Sequence, residues 1–402
     1  MKRLHDYRYI VGDKVISDIY RHARKLYGKR IIHLNSTYSG GGVAEMLHNL
    51  APLMNDAGVE TDWRILRGTV DFFDVTKSFH NALQSDDIEL SDHIKNIYIS
   101  TNEEYSVYAK IDHDCVFIHD PQPLPLIQFY AKRQPWVWRC HIDLSNPNPG
   151  LWDFLKGFIL RYDYVIVSRD TYKKEDLPIE HKLFAPVIDP LSSKNTDLSQ
   201  EEIDGVFKKF NIPTDKPLIT QISRFDKWKD PLGVLEIYKK VKSQIDCRLV
   251  LCGSMASDDP EGLEIYETVK ERAHEYLEHG DVMLITLESN LLVNALQRQS
   301  KVIIQKSIRE GFGLTVTEAL WKGTPVVASN VGGIPIQVKD GETGFLVEPH
   351  DYDTTADIIV DLLKKPDKGR KIGERGREYV RNNFLITRLV IDYLELLKEI
   401  LE

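Results

Sequence analysis

Short apolar runs alternate with longer amphipathic stretches along most of the 402-residue chain. Ile31–Leu34, Trp63–Leu66, Val116–His119, Trp136–Cys140, Tyr164–Val167 and Leu183–Ala185 are rich in β-branched or aromatic residues and are closed by polar residues, Gly or Pro. That is the pattern of strands buried on both faces. Helical spacing falls between them, at Val43–Met54 and Trp152–Tyr162. A second set of strands follows at Leu218–Ile222, Arg248–Leu251, Val282–Ile285, Val302–Gln305, Val326–Ala328 and Phe345–Val347. Its helices are predicted over Leu232–Val241, Leu263–Tyr276, Leu291–Leu296, Val316–Trp321, Ala356–Leu363 and Ile372–Val380. Repeated strand–helix alternation implies an α/β fold with parallel sheets covered by helices on both faces. Two prolines and a Ser/Asn/Thr cluster between Pro186 and Ser199 read as a linker. The expected architecture is two Rossmann-like domains, 1–188 and 191–385, after a polar, helical lead-in over residues 1–28. Ile386–Leu401 has apolar residues at three- and four-residue steps. It needs an apolar surface to cover, and crossing back onto the first domain (as 386–402) would supply one.

Composition narrows the function classes. Lys plus Arg total 52 against 61 for Asp plus Glu, a net charge of −9. Such a chain is a poor general nucleic-acid binder, because phosphate neutralisation drives that binding, although a local basic pocket for a small phosphate is compatible with it. The four cysteines, Cys115, Cys140, Cys247 and Cys252, form no C-x2-C pair, so neither a disulfide framework nor a zinc site is expected. No apolar run approaches 18 residues and the N-terminus has no apolar signal core. The expectation is a cytoplasmic protein without a membrane partner. The polar N-terminal segment could serve a homodimer interface.

Open parallel sheets bind ligands at the carboxyl ends of their strands, and unusual residues collect there. Gly40-Gly41-Gly42 follows Ile31–Leu34 and precedes a helix; it lets backbone approach a ligand and offers helix N–H groups to an anion, unless it is a plain strand-to-helix turn. It is not G-x-G-x-x-G, which disfavours a nicotinamide site. Arg224 and Lys229 lie five apart after Leu218–Ile222, ahead of a helix capped at Asp230 with Pro231 at its first position. They could neutralise a pyrophosphate or be solvated surface charges. Glu310-Gly311-Phe312-Gly313-Leu314-Thr315 opens a helix after Val302–Gln305, with Glu318 in its first turns. Glu310 could accept hydrogen bonds from sugar hydroxyls and Glu318 could bind a cis-diol such as a ribose; an exposed acid at a helix start is the plainer alternative for Glu318. His119, Asp120, Gln122, His141 and Asp143 lie at first-domain strand ends, where hydroxyl recognition competes with a structural role. Gly332-Gly333 could pack against a ligand or merely turn the chain.

Together these segments resemble the retaining glycosyltransferases of family 4. Glu310 and Glu318 with Gly-Phe-Gly between them are the most specific part, joined by Arg224 and Lys229, the Gly40–Gly42 turn and Pro186-Val187-Ile188-Asp189. The runs Asn35–Glu45, His119–Pro123 and Trp138–Asp143 narrow the likeness to trehalose glycosyl-transferring synthases, which are similar to trehalose phosphorylases of the same family. The resemblance implies a GT-B fold with a deep cleft and a C-terminal helix crossing back. It implies a nucleoside-diphosphate-glucose donor held mainly by the second domain. Arg224 and Lys229 would hold the diphosphate, Glu318 the ribose hydroxyls and Glu310 the glucosyl hydroxyls. Gly311, Phe312 and the backbone of Gly313, Leu314 and Thr315 would line the sugar and phosphate. Gly41 and Gly42 would approach the phosphate from the first domain. His141 would sit near the reacting centre, with His119, Asp120, Gln122 and Asp143 for the glucose acceptor. The loop Arg224–Asp230 lacks a Gly often found after the lysine, which bears only on its local shape.

The implied reaction makes trehalose from glucose and an activated nucleotide sugar, reversibly. ADP-, UDP- and GDP-glucose are all compatible, with base contacts expected near Met283–Glu288. No carboxylate cluster points to a dedicated metal, and no cofactor is called for, although Mg²⁺ could accompany the diphosphate. Competing readings are a trehalose phosphorylase releasing glucose 1-phosphate and a non-catalytic nucleotide-sugar sensor.

Overall fold

The computed structural model describes residues 2–39, 41–253, 260–287 and 289–401. The chain divides into two compact units, Met1–Val187 with Ile386–Glu402, and Ile188–Leu385.

The first unit runs α1 (Arg8–Ala23), β1 (Arg30–Asn35), α2 (Gly42–Asp56), β2 (Glu60–Ile65), α3 (Val70–Leu83), α4 (Asp92–Ala109), β3 (Cys115–His119), β4 (Trp136–Arg139), α5 (Pro149–Ile159), β5 (Tyr164–Val167) and β6 (Glu180–Leu183). The strands form one parallel sheet in the order β2-β1-β3-β4-β5-β6. The inner strands are almost wholly buried, which is why they read as unbroken apolar runs. The edge strands are partly exposed, and both begin three residues before the expected Trp63 and Leu183. They open on exposed acids, Glu60 in β2 and Glu180 in β6, so no apolar run marks where they start. Helices α3 and α4 are additional to those expected. The first buries Phe72, Thr76, Phe79 and Leu83 at helical spacing, while α4 buries only Tyr98, Asn102 and Ala109. The helix Ile386–Leu401 belongs to this unit and packs on α1 and α2. It buries Ile386, Leu389, Val390, Tyr393, Leu394 and Leu397, the stripe that its spacing predicts.

The second unit comprises α6 (Gln200–Lys209), β7 (Leu218–Ile222), α7 (Pro231–Lys242), β8 (Arg248–Cys252), α8 (Pro260–Arg272), α9 (His274–Glu278), β9 (Val282–Ile285), α10 (Asn290–Gln299), β10 (Val302–Gln305), α11 (Leu314–Trp321), β11 (Val326–Ser329), β12 (Phe345–Val347), α12 (Tyr352–Lys364) and α13 (Pro366–Asn383). Its parallel sheet has the order β12-β11-β10-β7-β8-β9. The helix expected over Leu263–Tyr276 is two, broken at Ala273. The stretch read as a linker belongs to this unit from Ile188 on. Asn195 is buried, donates to the Asp189 carbonyl at 3.1 Å, and accepts from Lys322 Nζ at 2.7 Å. Polar side chains that satisfy one another can be buried without penalty, and composition alone does not reveal the pairing.

Among the described residues, no helix is long and apolar enough to cross a membrane. The four cysteines are free and buried.

Candidate functional site

In the second unit, β7 and β10 are hydrogen-bonded neighbours, so the loops leaving their carboxyl ends lie side by side. Gln221, near the end of β7, fastens them together. Its Nε2 donates to the Lys229 carbonyl at 2.9 Å and its Oε1 accepts from the Lys306 amide at 3.0 Å. The Ile308 amide donates to the Trp228 carbonyl at 2.7 Å. Asp226 caps the turn Lys227–Lys229 by accepting from the amides of Trp228 and Lys229 at 3.0 and 3.1 Å. Asp230 caps α7 through the Gly233 amide, with Pro231 at the first helical position, the start that the sequence announces.

This framework sets Lys229 Nζ 2.8 Å from Glu310 Oε2, with both side chains mostly covered. The same carboxylate oxygen accepts from Gln305 Nε2 at 3.2 Å and from Ser307 Oγ at 3.0 Å, and Thr315 Oγ1 donates to Gln305 Oε1 at 3.1 Å. Arg224 is not part of this cluster. Its side chain is 60% exposed and pairs with Asp226 at 3.1 Å. Gly313 caps α11 at φ 80°, a left-handed turn that favours glycine. It leads into Leu314 and Thr315, whose amides stand at a helix start where no intrahelical acceptor exists. Gly311 accepts the Gly333 amide at 2.9 Å, and Phe312 is buried near Phe384. Gly332-Gly333 therefore packs against the Glu310–Phe312 backbone.

Glu318 departs from the exposed acid considered above. It is buried, and Lys194 Nζ lies 3.4 Å from its Oε1. One turn on, burial pushes the Lys322 ammonium well below its ordinary pKa, an effect that the charge of Glu318 opposes.

In the first unit, the ends of β3 and β4 bring His119, Asp120 and His141 together. His119 is fully buried and spends both ring nitrogens, Nε2 on His33 Nδ1 at 2.9 Å and Nδ1 on His141 Nε2 at 3.0 Å. It therefore cannot be a direct acceptor ligand, contrary to the sequence expectation. Asp120 has φ 61°; its Oδ1 accepts the His141 amide at 2.7 Å and its carbonyl accepts Trp138 Nε1 at 3.0 Å. That makes it first a staple between strand ends. The Gln122 carbonyl accepts from Asn102 Nδ2 at 3.0 Å. Asp143 Oδ1 is occupied by the Ser145 amide at 2.8 Å and by the Ser145 hydroxyl. Gly41 caps α2, Gly42 is its first residue, and a Cβ on Gly41 would meet nothing within 4 Å. Gly40 and Glu288, also named from the sequence, lie outside the described residues.

Comparison with known proteins places both units. A family model described as "Trehalose synthase, N-terminal domain" matches residues 33–174, and "Glycosyl transferases group 1" matches residues 202–379. A trehalose synthase of Pyrococcus horikoshii is 45% identical over 99% of this chain and 97% of its own. The chain belongs to the trehalose synthase family. As a member of that family it is a glycosyltransferase. A trehalose phosphorylase of Pleurotus pulmonarius is 30% identical, covering 94% of this chain but 58% of its own. Among solved structures, a UDP-forming α,α-trehalose-phosphate synthase of Burkholderia xenovorans superposes with a TM-score of 0.73 at 15% identity, covering 93% of this chain and 99% of that one. The two parallel-sheet units follow the GT-B plan.

Several residues of this family member's clusters were not singled out from sequence: Gln221, Gln305, Ser307, Lys194, Lys322 and His33. For two there was a signal, since Gln305 is the one polar residue of β10 and Gln221, beside Thr220, stands near the end of β7.

Asp120 supplies a pH prediction. Burial raises its carboxyl pKa from 3.8 to about 7, against the opposing His141 amide hydrogen bond. The folded chain thus holds a proton that the unfolded chain has lost between roughly pH 4 and 7. Where the folded state binds more protons, stability falls as pH rises. Asp120→Asn keeps an oxygen for the His141 amide and removes the titration. Urea melts at intervals from pH 4.5 to 7.5 should show a downward contribution in the parent chain that the variant lacks; identical pH slopes would refute this.

Proposed function

We propose that the chain transfers glucose, with retention, from a nucleoside-diphosphate-glucose to the anomeric hydroxyl of free glucose, forming α,α-trehalose, and runs the reverse reaction. Membership of the family says which chemistry to look for. The observation that carries the reading is the Lys229–Glu310 cluster set beside the glycine-led start of α11. A cation and unpaired helix amides suit a diphosphate. A carboxylate held by an ammonium and two neutral donors suits sugar hydroxyls. In this reading Lys229, with the exposed Arg224 reaching in from solvent, stabilises the leaving diphosphate. The amides of Gly313, Leu314 and Thr315 assist. Glu310 orients the glucosyl group. Glu318, buried beside Lys194, takes the ribose hydroxyls. Neither glutamate is given a nucleophile's role. The bond from C1 to the phosphate oxygen breaks while the bond to the acceptor oxygen forms on the same face, and the acceptor's proton passes to the departing phosphate. His141 contacts a sugar hydroxyl. A Mg²⁺ ion accompanying the diphosphate is compatible with this assignment, which routes no step through it.

The test is product analysis of the purified chain with glucose and ADP-, UDP- or GDP-glucose. Appearance of the α,α-1,1 disaccharide by NMR supports the reading, and trehalose plus a nucleoside diphosphate should regenerate the nucleotide sugar. Cleavage of trehalose by phosphate to glucose 1-phosphate, without reaction with any diphosphate, would establish the phosphorylase reading instead. Glu318→Ala should weaken nucleoside-diphosphate binding in calorimetry; an unchanged affinity would remove the ribose assignment.

A further inference from the structure

Two buried imidazoles and a half-buried one form a hydrogen-bonded row in the first unit: His33 Nδ1 to His119 Nε2 at 2.9 Å, and His119 Nδ1 to His141 Nε2 at 3.0 Å. Sheet register explains the row. His33 pairs with Phe117 across β1 and β3, and His119 with Arg139 across β3 and β4. Side chains two apart along a strand share a face, so His33, Phe117, His119 and Arg139 all point to the face covered by Tyr393 of the C-terminal helix. His33 stacks on Phe117 at 4.9 Å and 16°, and meets the edge of Tyr393 at 5.3 Å. Arg139 is buried, donates through Nη1 to the Tyr393 hydroxyl at 2.6 Å, and lies 5.4 Å from that ring.

A neutral imidazole has one N–H and one lone pair. His119 uses both nitrogens, so it must donate on one side and accept on the other. The row is therefore directional, and the protons can stand in only two ways. In one, every ring is protonated on Nδ1: His33 donates to His119, His119 donates to His141, and His141 presents Nδ1–H outward. In the other, every ring is protonated on Nε2, and His141 presents a lone pair. Burial, reinforced by the Arg139 charge, pushes all three rings toward the neutral form.

The far end decides the direction. Among the described residues, His33 Nε2 is buried with no hydrogen-bond partner. The first arrangement leaves a lone pair there and the second leaves an N–H. With a guanidinium buried in the same layer, a lone pair is attracted and an N–H repelled. An unpaired buried donor is also the rarer species.

We propose that His33 and His119 are positioning residues that act through His141, locking it as the Nδ1–H tautomer so that it offers a sugar hydroxyl a hydrogen-bond donor and not a base. The proposal rests on the reading of His141 as the sugar-contacting residue of this row. It adds two residues behind the site and fixes the sense of the contact. Proton removal from the acceptor then falls to the leaving phosphate, not to this imidazole.

The test uses the full chain with ring-¹⁵N histidine. Long-range ¹H–¹⁵N correlation distinguishes Nδ1–H from Nε2–H rings. All three should be protonated on Nδ1; a His141 protonated on Nε2 overturns the proposal whatever the enzyme's activity. His33→Phe keeps the stack on Phe117 and deletes the first donor. His141 should then become a tautomer mixture, and kcat should fall by up to about 10²-fold, as for a misplaced catalytic group, with nucleoside-diphosphate affinity unchanged. His33→Asn places an amide near the Nδ1 position and should recover most of kcat. Unchanged kcat and an unchanged His141 tautomer in His33→Phe would overturn the positioning role. Should that variant not fold, the parent spectrum and the Asn variant decide. Should the parent chain transfer no sugar at all, the proposed function fails, and the ring spectra still decide the direction of the row.

Discussion

Replacing Lys229 with alanine should lower the rate of glucosyl transfer by about 10²–10³-fold, the cost of removing one preorganised charge contact from a transition state. The expectation comes from where the ammonium sits. It is largely covered and fixed 2.8 Å from Glu310 by a turn whose amides are capped by Asp226 and whose carbonyl is held by Gln221. A charge held in place costs no reorganisation when negative charge develops beside it. Removing it has a second effect. Glu310 keeps Gln305 and Ser307 but loses its only cationic partner among the described contacts, so the carboxylate is left mostly covered and under-compensated. Both kcat and nucleoside-diphosphate affinity should fall. Arg224→Ala is the informative comparison, because that guanidinium is 60% exposed and paired with Asp226. It should weaken diphosphate binding while leaving the Glu310 cluster intact. Steady-state kinetics with calorimetric titration of the nucleoside diphosphate checks both; near-parental kcat/KM in Lys229→Ala would remove the diphosphate assignment.

The contrast between these two residues shows what the sequence carried. Both are basic and five apart in one loop, so composition treats them alike. Only packing separates the covered ammonium from the exposed guanidinium. The inner strands were legible for a physical reason: burial on both faces demands apolar residues at most positions, as in β1, β3 and β7, and the polar exceptions His33, His119 and Gln221 are hydrogen-bonded. Edge strands β2 and β6 need apolar residues at few positions, and their starts were displaced accordingly. Glu310 stood out because an acid at a strand end beside glycines is unusual. Ser307 did not, since a lone serine in a loop is ordinary until its partner is known. The imidazole row was hidden most deeply. His33 and His119 are 86 residues apart and His119 and His141 are 22 apart; only the parallel register of three strands makes them neighbours. The Lys194-Asn195 segment misled for a related reason, because its polar groups are consumed by Glu318, Asp189 and Lys322 and not by water.

Gly332→Ala should damage the second unit's site from below. Gly332 has φ +51°, and a Cβ built on it would lie 1.5 Å from the Glu310 carbonyl oxygen. At Gly333 a Cβ would come within 2.6 Å of the Gly311 carbonyl oxygen and 2.8 Å of Phe312 Cα. The obstructing atoms are backbone, so no side-chain rotation relieves the overlap, and the Glu310–Phe312 segment itself must move. That segment carries the carboxylate that Lys229, Gln305 and Ser307 jointly hold, and a displacement near 1 Å is enough to cost about 10²-fold in rate. Overpacking of this kind typically destabilises by about 1–3 kcal/mol, and the left-handed backbone adds strain for any residue with a Cβ. Gly313→Ala makes a graded control. It also has positive φ, but its Cβ would lie 3.1 Å from Glu310 Cγ, a side-chain atom able to give way. The expected order is therefore a larger loss of kcat and of thermal stability for Gly332→Ala than for Gly313→Ala. The first unit's imidazole tautomers should be unaltered in both, because the row is built within the other compact unit. Parental kcat in Gly332→Ala would mean that the position of the Glu310 backbone does not govern transfer, and the role given to Glu310 would go with it.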